Sequence, residues 1–309
     1  MTLRRLLVVA ALAATTVATT ACGGGGDSGS GGAVTADGSS TVGPYVTSAA
    51  EGFRDESGTN VTVGISGTGG GFERFCRGET DLSNASRPIK DEEAAICEEN
   101  GVEYVELQVA NDALTVVVNK SNDWVACLTV EELNVIWKPG STVENWSDVR
   151  ADFPDEPLEL FGPGTDSGTF DYFTDAINGE EGASRTDYQA SEDDNVIVQG
   201  VKGTEGGLGY FGFSYFEENQ DSLKALEVDG GSGCVAPSVD TAQGGTYVPL
   251  ARPLFVYAKT DALARQEVEG FLRYMLDNET SIAEQAQFVP LNQTQIDDNL
   301  AKLDEATGA

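Results

Sequence analysis

The sequence predicts an α/β fold with room for two lobes of ordinary size. Apolar runs that alternate like strands are interleaved with helical patterns along the chain, and such interleaving is typical of α/β proteins. The 309 residues, 40% of them hydrophobic, are enough to bury two cores. Three segments rich in glycine, serine and threonine each stand where a helix is predicted to begin. We see no internal repeat.

The individual elements follow from hydrophobic periodicity and from helix caps. The first helix has Pro44 in its first turn, and Thr129 followed by Glu132 forms a capping-box pattern at the start of another helix. The predicted helices cover 42–54, 72–77, 129–137, 169–177, 195–201, 262–277, 284–287 and 294–304. The predicted strands cover 60–65, 104–109, 113–119, 158–161, 208–215 and 254–258.

The three glycine- and hydroxyl-rich segments are the strongest functional signal. We call them the first donor loop (38–41), the second donor loop (66–71) and the third donor loop (164–169). The first turn of a helix leaves backbone N–H groups unpaired and carries partial positive charge. Glycine lets that backbone approach a ligand closely, and hydroxyls add donors. Three such helix starts in one chain predict a cage for a small anion such as phosphate.

Charge and composition exclude several classes of function. The chain has 18 Lys and Arg against 51 Asp and Glu, a net charge of -33, so nucleic acid and anionic lipid are not expected partners. Any anion must be held by local dipoles. The chain has no histidine, which removes Ser-His-Asp and Cys-His catalysis and every His-ligated metal site. Most hydrolase mechanisms are therefore excluded, and we expect no cofactor and no metal.

The N-terminus has the pattern of an export signal. Two arginines precede a mostly apolar run at 6–18, which is too short to span a membrane comfortably. The run leads to Cys22 and a Gly/Ser stretch, and this resembles the lipobox of bacterial lipoproteins, although Thr19 stands where that pattern usually has Leu. We predict a signal peptide at 1–21, then lipidated Cys22 and a flexible linker at 22–33. The alternative is ordinary cleavage after Ala21.

Four further cysteines favour disulfide bonds, because the chain is predicted to be exported and the number is even. They allow three pairings. Four buried thiols are the alternative, and a metal site is disfavoured because no CxxC spacing occurs.

Several motifs in order resemble the PstS family, the phosphate-binding proteins of ABC import systems. The resemblance covers roughly 36–290 and implies a two-lobed periplasmic-binding-protein fold of type II, with two crossovers at the hinge. The motifs are the three donor loops, each with its following residue, together with Ala85-Ser86-Arg87-Pro88-Ile89, Ser191-Glu192-Asp193-Asp194-Asn195 and Ala251-Arg252-Pro253-Leu254-Phe255. Carried over to this chain, lobe one is 34–114 plus 247–309 and lobe two is 115–246. This division places Cys76 with Cys97 and Cys127 with Cys234, the pairing that we favour.

The resemblance also implies the ligand positions. They are the hydroxyls and backbone groups of Ser40, Thr41, Val42, Thr68, Gly69, Ser86, Arg87, Ser167, Gly168 and Thr169. In well-known members, the position of Arg87 is an aspartate that accepts the proton of phosphate, and their arginine lies where this chain has Pro163. We therefore expect Arg87 to supply the guanidinium and Asp166 to be the carboxylate, although Asp166 is equally suited to be a helix N-cap.

The resemblance implies a monomeric, lipid-anchored receptor on the outer face of the cell membrane. It would bind inorganic phosphate with high affinity, deliver it to an ABC permease with transmembrane subunits and a cytoplasmic ATPase, and catalyse no reaction. The membrane is contacted only through the lipid. The alternatives are a receptor of the same fold for sulfate, molybdate or phosphonate, or a phosphate sensor. An enzyme using Ser167, such as a secreted phosphatase or acyl hydrolase, is disfavoured because the chain has no histidine base.

Overall fold

The computed structural model describes residues 32–308, which form twelve β-strands and twelve α-helices. The strands are β1 Val34–Gly38, β2 Val61–Ile65, β3 Leu82–Ala85, β4 Tyr104–Asn119, β5 Cys127–Thr129, β6 Glu159–Pro163, β7 Gln189–Ser191, β8 Gly207–Gly212, β9 Leu223–Ala225, β10 Glu227–Asp229, β11 Cys234–Val235 and β12 Ala251–Lys259. The helices are α1 Gly43–Ser57, α2 Gly67–Cys76, α3 Asp91–Glu99, α4 Val130–Trp137, α5 Trp146–Val149, α6 Gly168–Phe173, α7 Asp194–Gly203, α8 Phe213–Asn219, α9 Val239–Gln243, α10 Gln266–Asp277, α11 Glu279–Gln285 and α12 Gln293–Thr307. The predicted signal peptide, Cys22 and most of the linker lie outside the described residues.

One mixed sheet organises the described part of the chain, in the order β2-β1-β3-β12-β4-β8-β6-β7, with β9 also paired to β4. Strand β4 divides it into two parts. Its residues up to Ala113 pair antiparallel with β12, whereas its residues from Leu114 pair with β8. We call the β2-β1-β3-β12 side the first half-sheet and the β8-β6-β7 side the second half-sheet. Strands β1 and β2 are parallel neighbours, so the first two donor loops leave from adjacent carboxyl ends. The third donor loop leaves from the carboxyl end of β6, which is parallel to β7 and β8.

Each half-sheet has its own hydrophobic core. The first core packs α1, α10 and α12 against β1, β12 and the first part of β4, with Tyr45, Phe271 and Leu303 fully buried. The second core packs α4 and α6 against β8 and the last part of β4, with Trp137, Phe173 and Tyr210 at its centre. The two cores are joined through one shared strand, β4.

The predicted α/β class is confirmed, and three departures have physical causes. Helix α2 begins at Gly67, five residues before the predicted start, because packing overrides the low helix propensity of its glycines. Strand β4 is continuous where two strands were predicted, since the polar residues Asn111 and Asp112 interrupt the apolar pattern but pair with β12. Residues 213–215, predicted as strand, begin α8 instead.

Three elements near the first two donor loops were not predicted from the sequence. They are β1, β3 and α3. Strand β3 has the sequence Leu-Ser-Asn-Ala, which shows no strand-like alternation, yet all four residues are buried because it lies between β1 and β12. Only its neighbours make it a strand.

The structure contains two disulfide bonds, Cys76–Cys97 and Cys127–Cys234. The first joins α2 to α3, the helices that flank residues 77–90 of the first half-sheet. The second joins β5 to β11 in a small three-stranded sheet with β10. Among the helices of residues 32–308, we find none that is long and apolar enough to cross a membrane.

Candidate functional site

A cavity of about 490 Å³ opens at the carboxyl ends of β1, β2 and β3. Most of its lining is polar and belongs to the first two donor loops and to residues 86–90, which we call the arginine loop. The lining residues are Ser39, Ser40, Thr41, Ser66, Gly67, Thr68, Gly69, Gly70, Ser86, Arg87, Lys90, Asp171, Tyr172, Asp175, Glu181 and Arg252. Six of the eleven sequence-predicted site residues are therefore brought together here: Ser40, Thr41, Thr68, Gly69, Ser86 and Arg87.

The first donor loop connects β1 to α1 and is held from behind by β3. The backbone N–H of Ser39 donates to the carbonyl of Asn84 at 2.9 Å. The Ser39 hydroxyl accepts the N–H of Val42 at 3.4 Å, and Val42 is fully buried. The predicted donor Val42 thus has an internal partner and does not line the cavity. The backbone N–H groups of Ser40 and Thr41 have no partner within residues 32–308 and remain available.

The second donor loop is the first turn of α2 rather than a loop before it. A Cβ added at Gly71 would lie 2.5 Å from Gly38 Cα, so glycine at this position allows the helix to pack against the first donor loop. The Thr68 and Ser86 hydroxyls are 3.0 Å apart, and Thr68 also accepts the Ser86 N–H at 3.2 Å. These contacts place two hydroxyls and a helix N-terminus on the same wall.

Arg87 lines the cavity but is already paired with a carboxylate. Its two terminal nitrogens donate to the two oxygens of Glu93, each at 2.8 Å. Glu93 belongs to the first turn of α3 and also accepts the Lys90 N–H at 2.9 Å. Burial raises the pKa of Glu93, but hydrogen bonds from Arg87 and Lys90 outweigh it and hold that pKa below its ordinary value. An anion at Arg87 would therefore share a guanidinium whose charge is already paired with Glu93.

A tyrosine on β12 fixes the arginine loop from the core side. The Tyr257 hydroxyl accepts the Ile89 N–H at 2.9 Å and donates to Glu106 on β4. Burial and this bond to Glu106 raise the pKa of Tyr257 well above its ordinary value. The hydroxyl therefore stays protonated and connects the loop to two strands.

Arg252 is a cavity residue that sequence reasoning missed. It lies at the start of β12, directly opposite Asp112 of β4, and its Nε and Nη2 donate to Asp112 Oδ2 at 3.2 and 3.1 Å. Nη2 also lies 3.3 Å from Thr41 Oγ1, and the guanidinium carbon is 3.6 Å from the ring centre of Tyr172. The signal in the sequence was an arginine at the start of the apolar strand motif Ala251-Arg252-Pro253-Leu254-Phe255, a motif shared with the PstS family whose arginine had no predicted role.

The third donor loop reaches the site from the second half-sheet. Gly168 and Thr169 line a second cavity of about 180 Å³ together with Thr41 and Asp112. A Cβ at Gly168 would lie 3.2 Å from Thr41 Oγ1, so the first and third donor loops approach each other here.

The start of the third donor loop lies farther from both cavities. Ser167 caps α6, and its hydroxyl accepts the Thr169 N–H at 3.2 Å. Asp166 is exposed, and its N–H lies 3.4 Å from a Glu192 oxygen. Neither Ser167 nor Asp166 lines either cavity.

The wall opposite the donors is acidic. Asp171, Asp175 and Glu181 of the second half-sheet side line the larger cavity across from the arginine loop. Burial and the charge of Glu181 raise the pKa of Asp171, against an opposing effect from Arg252. An anion in this cavity therefore gains from the donor loops and the arginines but is repelled from the opposite wall.

Comparison with known proteins identifies the family. Residues 13–279 match the PBP superfamily domain. Protein SphX of Synechococcus elongatus is 51% identical over 261 residues, which are 84% of this chain and 77% of the relative. Phosphate-binding protein PstS of Staphylococcus saprophyticus is 41% identical over 280 residues, which are 90% of this chain and 86% of the relative. The chain belongs to the PstS family of the PBP superfamily.

A solved structure extends the PstS likeness to the whole architecture. A possible phosphate binding protein from Planctomyces limnophilus superposes with a TM-score of 0.85 at 45% identity, covering 89% of this chain and 98% of its own. The resemblance to the PstS family and the two-lobed fold expected from it are both confirmed.

Proposed function

We propose that this PstS-family protein binds inorganic phosphate with high affinity and delivers it to an ABC-type import permease. The observation that carries the proposal is the larger cavity, where hydroxyls, the N-terminal turn of α2 and two arginines meet. Backbone N–H groups and a planar guanidinium suit the oxygens of a tetrahedral anion. The names of the relatives support the same ligand, since the S. saprophyticus protein is a phosphate-binding protein.

Calorimetric titration tests this proposal directly. Protein purified from cells expressing the full chain is stripped of ligand and titrated with phosphate, then sulfate, near neutral pH. We expect one-to-one phosphate binding and no heat with sulfate. Heat with sulfate, molybdate or phosphonate in place of phosphate would make the chain a receptor for that oxyanion. No heat with any of them would contradict a receptor function for oxyanions.

Selectivity for phosphate needs a carboxylate that accepts the proton which phosphate carries and sulfate lacks. The sequence assigns this role to Asp166, and Asp166→Asn should then reduce the ratio of phosphate to sulfate affinity. The exposed position of Asp166 requires the third donor loop to move toward the anion as the lobes close. An unchanged ratio would exclude Asp166 and direct attention to Asp112, the buried carboxylate beside Thr41.

Closure of two lobes is part of the same proposal. Lobe one is proposed as 34–114 plus 247–309 and lobe two as 115–246, so that the hinge falls in β4 and in the residues before β12. Small-angle scattering with and without phosphate measures the closure. A radius of gyration that does not change with phosphate would argue against a moving hinge.

Export and anchoring are proposed from the N-terminal sequence. The chain is placed outside the cytoplasm as a monomer, tethered to the outer face of the cell membrane through lipidated Cys22. Cys22→Ala should release the protein from the membrane fraction into the medium or periplasm. Retention of this variant in membranes would show another anchor.

The proposal includes no catalysis. The hydroxyl of Ser167 caps a helix, and the chain has no histidine that could act as its base. A chromogenic phosphate ester should therefore not be hydrolysed. Hydrolysis that disappears in Ser167→Ala would replace the receptor proposal by an enzyme.

A further inference from the structure

We propose that Arg252 is a phosphate-binding residue of this cleft and that it couples the bound anion to both lobes. The inference rests on the proposed function and names a residue and a coupling that the donor-loop motifs do not include. It starts from the position of Arg252 on β12, opposite Asp112 on β4, where the pairing of β4 passes from the first half-sheet to the second.

The guanidinium of Arg252 is held in one orientation with donors to spare. Asp112 accepts from Nε and Nη2, and Nη2 also contacts Thr41, whereas Nη1 has no hydrogen-bond partner in the described chain. The side chain is 19% exposed and lines the larger cavity. A planar group that is fixed on one edge and open on another can bind an oxyanion with little loss of side-chain entropy.

The guanidinium of Arg87, by contrast, is already paired with Glu93. Each of its terminal nitrogens donates one N–H to Glu93 in a two-point ion pair, and Nη1 also donates to the Pro88 carbonyl at 3.1 Å, so an anion there meets fewer free donors and a positive charge that Glu93 already neutralises. Of these two arginines, Arg252 is therefore the better prepared to receive phosphate.

The contacts of Arg252 reach both sides of the cleft. Thr41 belongs to the first donor loop, and Tyr172, on whose ring the guanidinium lies at 3.6 Å, belongs to the helix that follows the third donor loop. An anion on Nη1 fixes the guanidinium against both groups at once. Stacking on Tyr172 is favourable only while the second lobe holds that ring over the arginine.

Binding by Arg252 is tested with three variants and one control. Arg252→Gln removes the charge, the double variant Arg252→Gln/Asp112→Asn removes it without leaving a lone buried carboxylate, and Arg252→Lys keeps it without the planar fork. Arg150→Gln is the matched control, because Arg150 also pairs with a carboxylate, that of Glu132, and lies 4.5 Å from the centre of the Phe153 ring, but lines neither cavity.

Calorimetry and circular dichroism give the decisive results. We expect both glutamine variants to bind phosphate about 100-fold more weakly or worse, the lysine variant about tenfold more weakly, and the control like the wild type. A wild type that gives no heat with phosphate overturns the proposed function together with this inference. Wild-type binding with Arg252→Gln within about threefold of it overturns the inference alone. If the neutral variants lose their folded spectrum, the lysine variant decides in the same way.

Coupling to the lobes has its own readout. Tyr172→Leu removes the stacked ring but leaves the guanidinium and its donors. Small-angle scattering at saturating phosphate should show less compaction for this variant than for the wild type. Equal compaction would overturn the coupling while leaving the binding role of Arg252 intact.

Discussion

Glu279 makes the stability of the protein depend on pH in a predictable direction. It opens α11 with 1% of its surface exposed, and its Oε1 accepts the Leu291 N–H at 2.7 Å. Burial raises its pKa from 4.5 to about 7. The folded state therefore holds a proton that the unfolded chain releases between these two values. Stability falls as pH rises through this window and levels off above it.

The magnitude follows from the shift. Between pH 5 and pH 8 the loss assigned to Glu279 is about 2.5 kcal/mol, at 1.36 kcal/mol for each pKa unit. Glu279→Gln keeps an oxygen for Leu291 but cannot ionise. We therefore expect this variant to gain about 2.5 kcal/mol over the wild type between the two pH values.

Urea unfolding at pH 5 and pH 8 measures the difference between wild type and variant. The exposed Glu305 of α12, changed to Gln, is the control and should show no such gain, because it is not among the groups that shift the pKa of Glu279. If the free-energy difference between Glu279→Gln and wild type were the same at both pH values within about 0.5 kcal/mol, a buried proton on Glu279 would be ruled out.

Three further changes test the site and its frame. Tyr257→Phe removes the hydroxyl that accepts the Ile89 N–H of the arginine loop, so phosphate affinity in calorimetry should fall about fivefold. An unchanged affinity would show that the arginine loop keeps its conformation without this hydrogen bond. Gly168→Ala would place a methyl group 3.2 Å from Thr41 Oγ1, so phosphate affinity should fall about tenfold while the urea unfolding midpoint stays unchanged. Wild-type affinity would mean that the first and third donor loops can move apart to admit the methyl group. Replacing Cys127 and Cys234 by Ser removes a disulfide bond between residues 107 positions apart, and the free energy of unfolding in urea should fall by about 4 kcal/mol. A fall of less than about 1 kcal/mol would contradict this expectation.

The sequence predicted the parts of the site that are encoded locally. Thr41, Thr68 and Arg87 each lie in a short motif whose residues already define a turn, a helix start or a strand end, and all three line the larger cavity. The hydroxyls of Thr41 and Thr68 were identified from the local pattern of a helix start, whereas Arg87 was assigned through the resemblance to the PstS family. Donor positions of this kind can be found in a single sequence because the first turn of any helix has unpaired backbone N–H groups that can bind an anion.

Arg252 could not be found in this way. Arg252 and Asp112 are 140 positions apart, and only the pairing of β12 with β4 brings them together. The occupation of Arg87 by Glu93 was also hidden, since α3 was not among the predicted helices. Long-range strand pairing and side-chain competition are properties of the folded chain, and local periodicity contains no information about them.

The length of strand β4 is constrained because both half-sheets pair with it. Its sixteen residues serve both half-sheets without a loop between them, and its pairing with β12 accommodates one register shift, opposite Leu254 and Phe255. Because side chains alternate faces along a strand, inserting or deleting one residue would exchange the two faces of one half while the other half stayed in place. Residues 109–118 are all buried, so the side chains on both faces of that half would be mispacked. Insertions and deletions among related proteins should therefore fall in the loops of each lobe, and the length of the β4 segment that joins the two lobes should stay the same.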